Sequence, residues 1–245
     1  MSPRTSPFHP QHIDLYASPH THAHIHKRKH LTNRQLQNGA LPVPSARSIL
    51  PPTNLLLTYP FPLKLATLDW HPPTHISFAS NHPSAAPFTS THTIHHPEDP
   101  SLSYTTPLWP VHCVQDTPGA SLVPELRADL LDDVIRKGTN PTVEMYSAFY
   151  DPYKVSDSGL AKRLRDEGVT HVFVVGLAAD YCVRWSAVDA AREGFVTYIV
   201  EEGTRAVDPD KWEDVKKEIE KEGVRVVGMA GEEVERVRKL GEARG

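Results

Sequence analysis

From Asp157 to Leu240 apolar runs and amphipathic runs take turns without a break, and that alternation fixes more about the fold than any other feature. The pattern predicts a helix over Asp157–Glu167, a strand over 171–176, a helix over 181–193 and a strand over 195–200. A helix over Pro209–Glu222, a strand over Val224–Val227 and a charged helix over Gly231–Leu240 follow. Gly168, Gly194 and Gly223 stand where helices hand over to strands, the place for a residue that tolerates a left-handed cap. Short apolar strands separated by helices of 10–15 residues imply βαβ units. The expected fold is a three-layer α/β/α domain with a mostly parallel sheet buried on both faces. Such sheets carry their sites at the carboxyl ends of the strands.

The chain has 245 residues and a 39% hydrophobic share, enough for one sizeable core. It holds no apolar run of the ~20 residues that would span a bilayer, and no apolar stretch near its start reads as a secretory signal. A location in cytoplasm or nucleus is expected. Two cysteines make no disulfide framework, so both thiols are expected to be free. The net charge of −4 is unevenly spread: residues 1–68 hold seven Lys/Arg and the single acid Asp14. That basic segment lacks heptads, interleaved aromatics and zinc-finger spacing, so nucleic acid is not the expected partner.

Residues 1–38 sustain neither period 2 nor period 3.6 and are rich in Pro, His, Ser and Thr, so an irregular arm is expected there. The alternating imidazoles of His20, His22, His24 and His26 could hold a metal only loosely. A domain is expected from 39 to 245. Within it, Ser48–Leu57 suits a short helix started by Pro51-Pro52, and Leu63–Leu68 suits a strand ending at Asp69. Residues 71–110 read as a long Pro- and His-rich excursion, and Leu108–Val111 and Val143–Phe149 as short strands.

Three places carry chemistry. Cys182 follows the apolar run 171–175 and a Gly/Ala turn, at the start of the predicted helix. Unpaired N–H groups at a helix start favour thiolate. A lone cysteine is otherwise a small buried hydrophobe, which is the reading given to Cys113. Asp69 and His71 share a face of an extended segment and could meet one metal, with His112 as a third ligand. One carboxylate and two imidazoles suit Zn²⁺, Fe²⁺ or Mn²⁺. His75, His82, His92, His95 and His96 compete for the same duty. Lys137 ends an apolar stretch before Gly138; turned toward Cys182, its ammonium would lower the thiol pKa.

In order along the chain, these segments resemble one family. Leu68-Asp69-Trp70-His71-Pro72-Pro73-Thr74-His75-Ile76-Ser77-Phe78 is similar to the metal loop of nicotinamidases, within the isochorismatase-like hydrolases. Leu108-Trp109-Pro110-Val111-His112-Cys113, Arg136-Lys137-Gly138, Tyr146-Ser147-Ala148-Phe149 and the Cys182 turn match the motifs that follow. The resemblance implies conversion of nicotinamide and water to nicotinate and ammonia, in NAD salvage. It implies Cys182 as nucleophile through a thioester, Lys137 beside it, and the backbone N–H groups of Ala178 and Cys182 as an oxyanion hole. The peptide bond before Ala178 corresponds to one that is cis in the family. Asp69, His71 and His112 correspond to ligands of one divalent ion, Zn before Fe or Mn. Trp109 and Tyr181 correspond to walls around the pyridine ring. A related small-amide or isochorismatase-type hydrolase, or an impaired binder of metal and nicotinamide, are the alternatives; a homo-oligomer is compatible with each.

One departure stands out. The family's catalytic Asp closes its first strand, some ten residues before the segment that Gly39-Ala40-Leu41-Pro42 resembles. Lys27-Arg28-Lys29 occupy that region here. The first, central strand is therefore expected to be missing or replaced, and Asp14 is a weak substitute for its acid.

Overall fold

The computed structural model describes residues 12–17, 41 and 43–240. A six-stranded sheet runs through it in the order β5-β2-β1-β6-β7-β8. The strands are β1 (His12–Ala17), β2 (Leu63–Asp69), β5 (Asp133–Lys137), β6 (His171–Leu177), β7 (Val196–Arg205) and β8 (Val224–Val227). The helices are α1 (Leu50–Thr58), α2 (Leu160–Asp166), α3 (Arg184–Arg192), α4 (Trp212–Lys221) and α5 (Glu232–Lys239). β2 pairs parallel with β5, and β6, β7 and β8 are parallel to one another. This is the expected α/β sheet.

The sequence of β6 shows why it lies near the middle. Phe173, Val175 and Leu177 enter one core beside Leu56, Leu57, Val200 and Val234. Val172 and Val174 enter the other beside Phe149, Leu164, Ile199 and Ile219. A strand covered on both faces needs apolar residues at consecutive positions. Burying Phe173 stabilises the fold by about 2–3 kcal/mol, and its ring also meets Phe61 edge-on, with centroids 5.4 Å apart. Gly168, Gly194 and Gly223 all have positive φ at the helix ends, as the pattern requires.

The central strand corrects the expectation for residues 1–38. The place between β2 and β6 is filled by β1, and β1 runs antiparallel to both neighbours. The rest of the expected arm, including the histidine run and Lys27–Lys29, lies outside the described residues. By register Asp14 is level with Leu65 and Val174. That is four residues, or roughly 13 Å, short of the Asp69 end of the sheet. Asp14 is therefore at mid-sheet rather than at the end where a catalytic acid belongs.

Other boundaries also shift. The excursion 71–110 contains an antiparallel hairpin, β3 (Thr91–His95) with β4 (Ser103–Pro107). Val143–Phe149 is irregular, not a strand, and Leu108–Val111 is reduced to one bridge between Phe78 and Trp109. The helix expected over 181–193 begins as a wide π turn at Ala179–Val183 before α3. No helix among the described residues is long and apolar enough to cross a membrane.

Candidate active site

The site gathers at the carboxyl ends of β2, β5 and β6. Asp69 is the last residue of β2 and pairs in register with Lys137, the last residue of β5. Parallel pairing thus sets an acid and a base side by side. The Lys137 ammonium, 2% exposed, donates to Asp69 Oδ1 at 2.5 Å and to the Met145 carbonyl at 3.0 Å. It also points at Cys182 Sγ, 3.6 Å away. Burial would depress the lysine, but the Asp69 carboxylate outweighs it and holds Lys137 above its ordinary value, firmly charged. Burial would raise Asp69, but Lys137 and then the nearby imidazoles hold it well below the carboxylate range.

Cys182 is reached from β6 through Gly176, Leu177 and Ala178. The Leu177–Ala178 peptide bond is cis, as the resemblance implies. The turn is pinned from outside. Both Asp180 carboxylate oxygens accept backbone N–H groups, of Val207 and of Asp208, each at 2.9 Å. Thr204 Oγ1 donates to the Gly176 carbonyl at 2.8 Å. The expectation of a thiol biased to thiolate is corrected. Burial pushes the Cys182 thiol up to about 12 against the pull of Lys137, with the Asp69 and Glu144 carboxylates adding to the rise. The lysine charge is shared with Asp69, which blunts its pull on sulfur. Cys113 is buried as well, and burial raises it well above the ordinary thiol value.

Asp69, His71 and His112 each offer a ligand atom, all within 4.8 Å of one another. Among the described residues they alone form such a group of three. His112 lies in the loop after Trp109 rather than at a strand end, a small correction to its expected place. Both imidazoles are oriented by carbonyls. His71 Nδ1 donates to Gly138 O at 2.9 Å, and His112 Nδ1 donates to Pro110 O at 2.8 Å. Each ring therefore keeps its Nε2 lone pair for a metal. Burial lowers both histidines, so both are neutral near pH 7, the state a metal requires. A carboxylate and two pre-oriented neutral imidazoles fit a divalent ion. His75 lies tilted against the His71 ring, centroids 4.1 Å apart, and its Nδ1 accepts the Ser77 N–H with Ser77 Oγ 2.8 Å away, outside the trio. His82 and His92 pack against each other instead, 4.3 Å apart.

The same pocket is lined by Trp109, Tyr146, Tyr181, Ala178 and Glu144. Trp109 Nε1 donates to Tyr146 Oη at 2.9 Å, and its ring meets Tyr181 edge-on at 4.9 Å. Among the pocket residues that the sequence left without a role are Glu144 and Tyr146. Glu144 is 3% exposed, and burial lifts its carboxyl to about 7 although Lys137 opposes the shift. Its one local signal was a position seven residues after Lys137. Reading 143–149 as a strand gave no reason to aim it at a site.

Residues 83–231 match the isochorismatase domain, and the chain belongs to that family. Its relatives within it include nicotinamidases. The nicotinamidase of Acinetobacter baylyi is 41% identical over 69% of this chain and 75% of its own length. The yeast nicotinamidase bound to the inhibitor nicotinaldehyde superposes with a TM-score of 0.74 at 33% identity, covering 78% of this chain and 92% of its own. A Pyrococcus horikoshii pyrazinamidase in complex with zinc gives 0.59 at 35% identity, covering 78% and 90%.

Proposed function

We propose that this chain hydrolyses nicotinamide to nicotinate and ammonia in NAD salvage, in the cytoplasm or nucleus, with Cys182 as nucleophile. One observation carries the reading. A buried thiol lies 3.6 Å from a buried ammonium in a pocket shared with the Asp69, His71, His112 trio and the rings of Trp109 and Tyr181. Sulfur attacks the carboxamide carbon, and the thiol proton leaves toward the pocket carboxylates. The C–N bond breaks as the amine takes a proton and departs as ammonia. Water then cleaves the thioester, returns a proton to sulfur and releases nicotinate. Ala178 N–H and Cys182 N–H supply the donors for the oxyanion. Trp109 and Tyr181, set edge-on to each other, form two walls of the pocket for the flat ring. Glu144, near neutrality in its protonation, is the carboxyl best suited to hold the proton between steps. Asp69, His71 and His112 would hold a divalent ion, zinc before iron or manganese, which supplies a Lewis-acid site for the pyridine nitrogen.

Ammonia release from nicotinamide, measured against pyrazinamide, benzamide and aliphatic amides, tests the proposal. A clear preference for a non-pyridine amide overturns it in favour of a related hydrolase. The lack of the family's Asp ahead of Gly39, where Lys27-Arg28-Lys29 stand, favours one second reading, a metal- and nicotinamide-binding homologue with little turnover. Binding by calorimetry with turnover ~10²–10⁴-fold below an intact relative would establish it, since that is what general acid–base catalysis contributes.

A further inference from the structure

A second cavity, of about 320 Å³, shares Tyr146 in its lining with the active pocket. It sits between α3 and the segment 146–154. Its charged lining is sorted by depth. Asp151 is fully buried, its oxygens taken by the Tyr153 and Ser156 N–H groups, and Asp189 comes next, its side chain 9% exposed. The Ser147 hydroxyl donates to it, and the Arg192 guanidinium makes a long ion pair with it at 3.8 Å. The basic groups are at the rim and make their shorter contacts with other acids. Arg192 gives Nε and Nη2 to Glu222 at 3.1 and 3.0 Å, and Lys154 lies 3.9 Å from Glu193. The walls are the rings of Tyr146, Tyr150 and Trp185.

Two of those rings already attract cations. Lys154 Nζ sits 4.1 Å from the Tyr150 centroid, and Arg184 Cζ sits 4.9 Å from that of Trp185. Rings around a buried carboxylate select a positive, flat guest. An anion would have to approach Asp189 directly. A volume near 300 Å³ is at the small end for ligand pockets and admits a molecule of one or two rings.

We propose that this cavity is a binding site for a small aromatic cation of the pyridinium class. Its charge would lie over Asp189 and its ring against Trp185 and Tyr150. The guest would bear on the active site through Tyr146. That hydroxyl holds the Trp109 indole at 2.9 Å and Thr106 Oγ1 at 2.9 Å, so a displaced Tyr146 moves a wall of the nicotinamide pocket. The effect on KM rests on the nicotinamidase reading; the binding itself does not.

Calorimetry of the full chain with 1-methylpyridinium chloride tests the site. The Cys182→Ala variant, held in excess nicotinamide, keeps the active pocket blocked. Saturable one-site binding is expected, with no binding of benzenesulfonate, a flat anion of similar size. Asp189→Asn should weaken binding at least about tenfold, the loss of a buried charge partner. If that variant melts early, Trp185→Leu serves instead, with a similar loss expected. The proposal is overturned by no saturation up to about 10 mM, by equal binding of benzenesulfonate, by displacement with nicotinamide, or by no loss in either variant. In the wild type the cation should change KM for nicotinamide and leave kcat alone. An unchanged KM removes the coupling, whereas absence of any nicotinamide turnover counts against the function and not against the site.

Discussion

Cys182, the proposed nucleophile, and the groups around it come from two regions built by different rules. The Cys182 turn belongs to the run β6 to α5, where each element packs on the next and contacts are short in sequence. Asp69, His71, Trp109, His112, Lys137 and Glu144 come from the region 63–157, where long loops return to a few strand ends. In the first region a local hydrogen-bond frame around Asp180 and Thr204 fixes one atom. In the second, a parallel pairing 68 residues apart in sequence sets Asp69 beside Lys137. In the proposed mechanism the first region supplies the reacting atom and the second its electrostatics, so damage to each should look different.

The sharpest separation comes from Cys182→Ala. Turnover should fall by about 10⁴-fold or more, while metal content by elemental analysis and the melting temperature stay unchanged. Loss of metal in that variant would show that the two regions do not act separately. Lys137→Met should be nearly as harmful to activity but by another route. It leaves the Asp69 carboxylate buried without its partner, at about 3–5 kcal/mol of stability. Urea unfolding reads that loss, and an unchanged midpoint would show that Asp69 is hydrated in solution.

Gly138→Ala is a finer probe of the loop region. Gly138 has a φ of +64°, and an added Cβ would come 2.4 Å from His71 Cε1. The carbonyl that orients His71 must then move, and metal affinity should drop about 10- to 100-fold. Calorimetric titration of zinc into the chelated variant checks it. Glu144→Gln should lower kcat by about 100-fold with KM nearly kept. It also has a pH signature in the chelated protein. The Glu144 carboxyl rises from 4.5 to about 7 on folding. The folded state therefore binds the proton more tightly, and stability is lost as pH climbs from 4.5 through 7. The Gln variant should lack that decline, worth up to about 3 kcal/mol. A decline that persists in the variant would move the titration to another group.

The same division governs what the sequence could tell. The β6–α5 run was legible because its periodicity is local: Val172 to Val175 must be a strand covered on both faces, and Gly168, Gly194 and Gly223 must end helices. In the loop region the residue types were legible and their surroundings were not. Asp69, His71 and His112 stood out as candidate ligands, yet nothing nearby in sequence says that Gly138 and Pro110 carbonyls would orient the imidazoles. Nor does the spacing reveal that the Lys137 charge is divided between a carboxylate and a thiol, which is why the helix start suggested an acidic Cys182 and burial made it a weak acid. Glu144 was hidden because its segment is held by Tyr104 and Ser186 rather than by periodic pairing. β1 was hidden because six residues of mixed polarity carry no strand signature; their place is granted by the gap between β2 and β6.

The direction of β1 has a practical consequence for handling the protein. An antiparallel strand in that gap begins where its neighbours end, and His12 pairs with Thr67 and Gly176, close to Asp69 and Ala178. The polypeptide therefore comes into the sheet from the catalytic rim. An affinity tag or fluorescent fusion joined upstream of His12 would be tethered over the mouth of the pocket, where it could obstruct nicotinamide and, if it carries histidines, compete for the ion. Purification handles and surface-immobilisation anchors belong on the far end of the polypeptide, after α5.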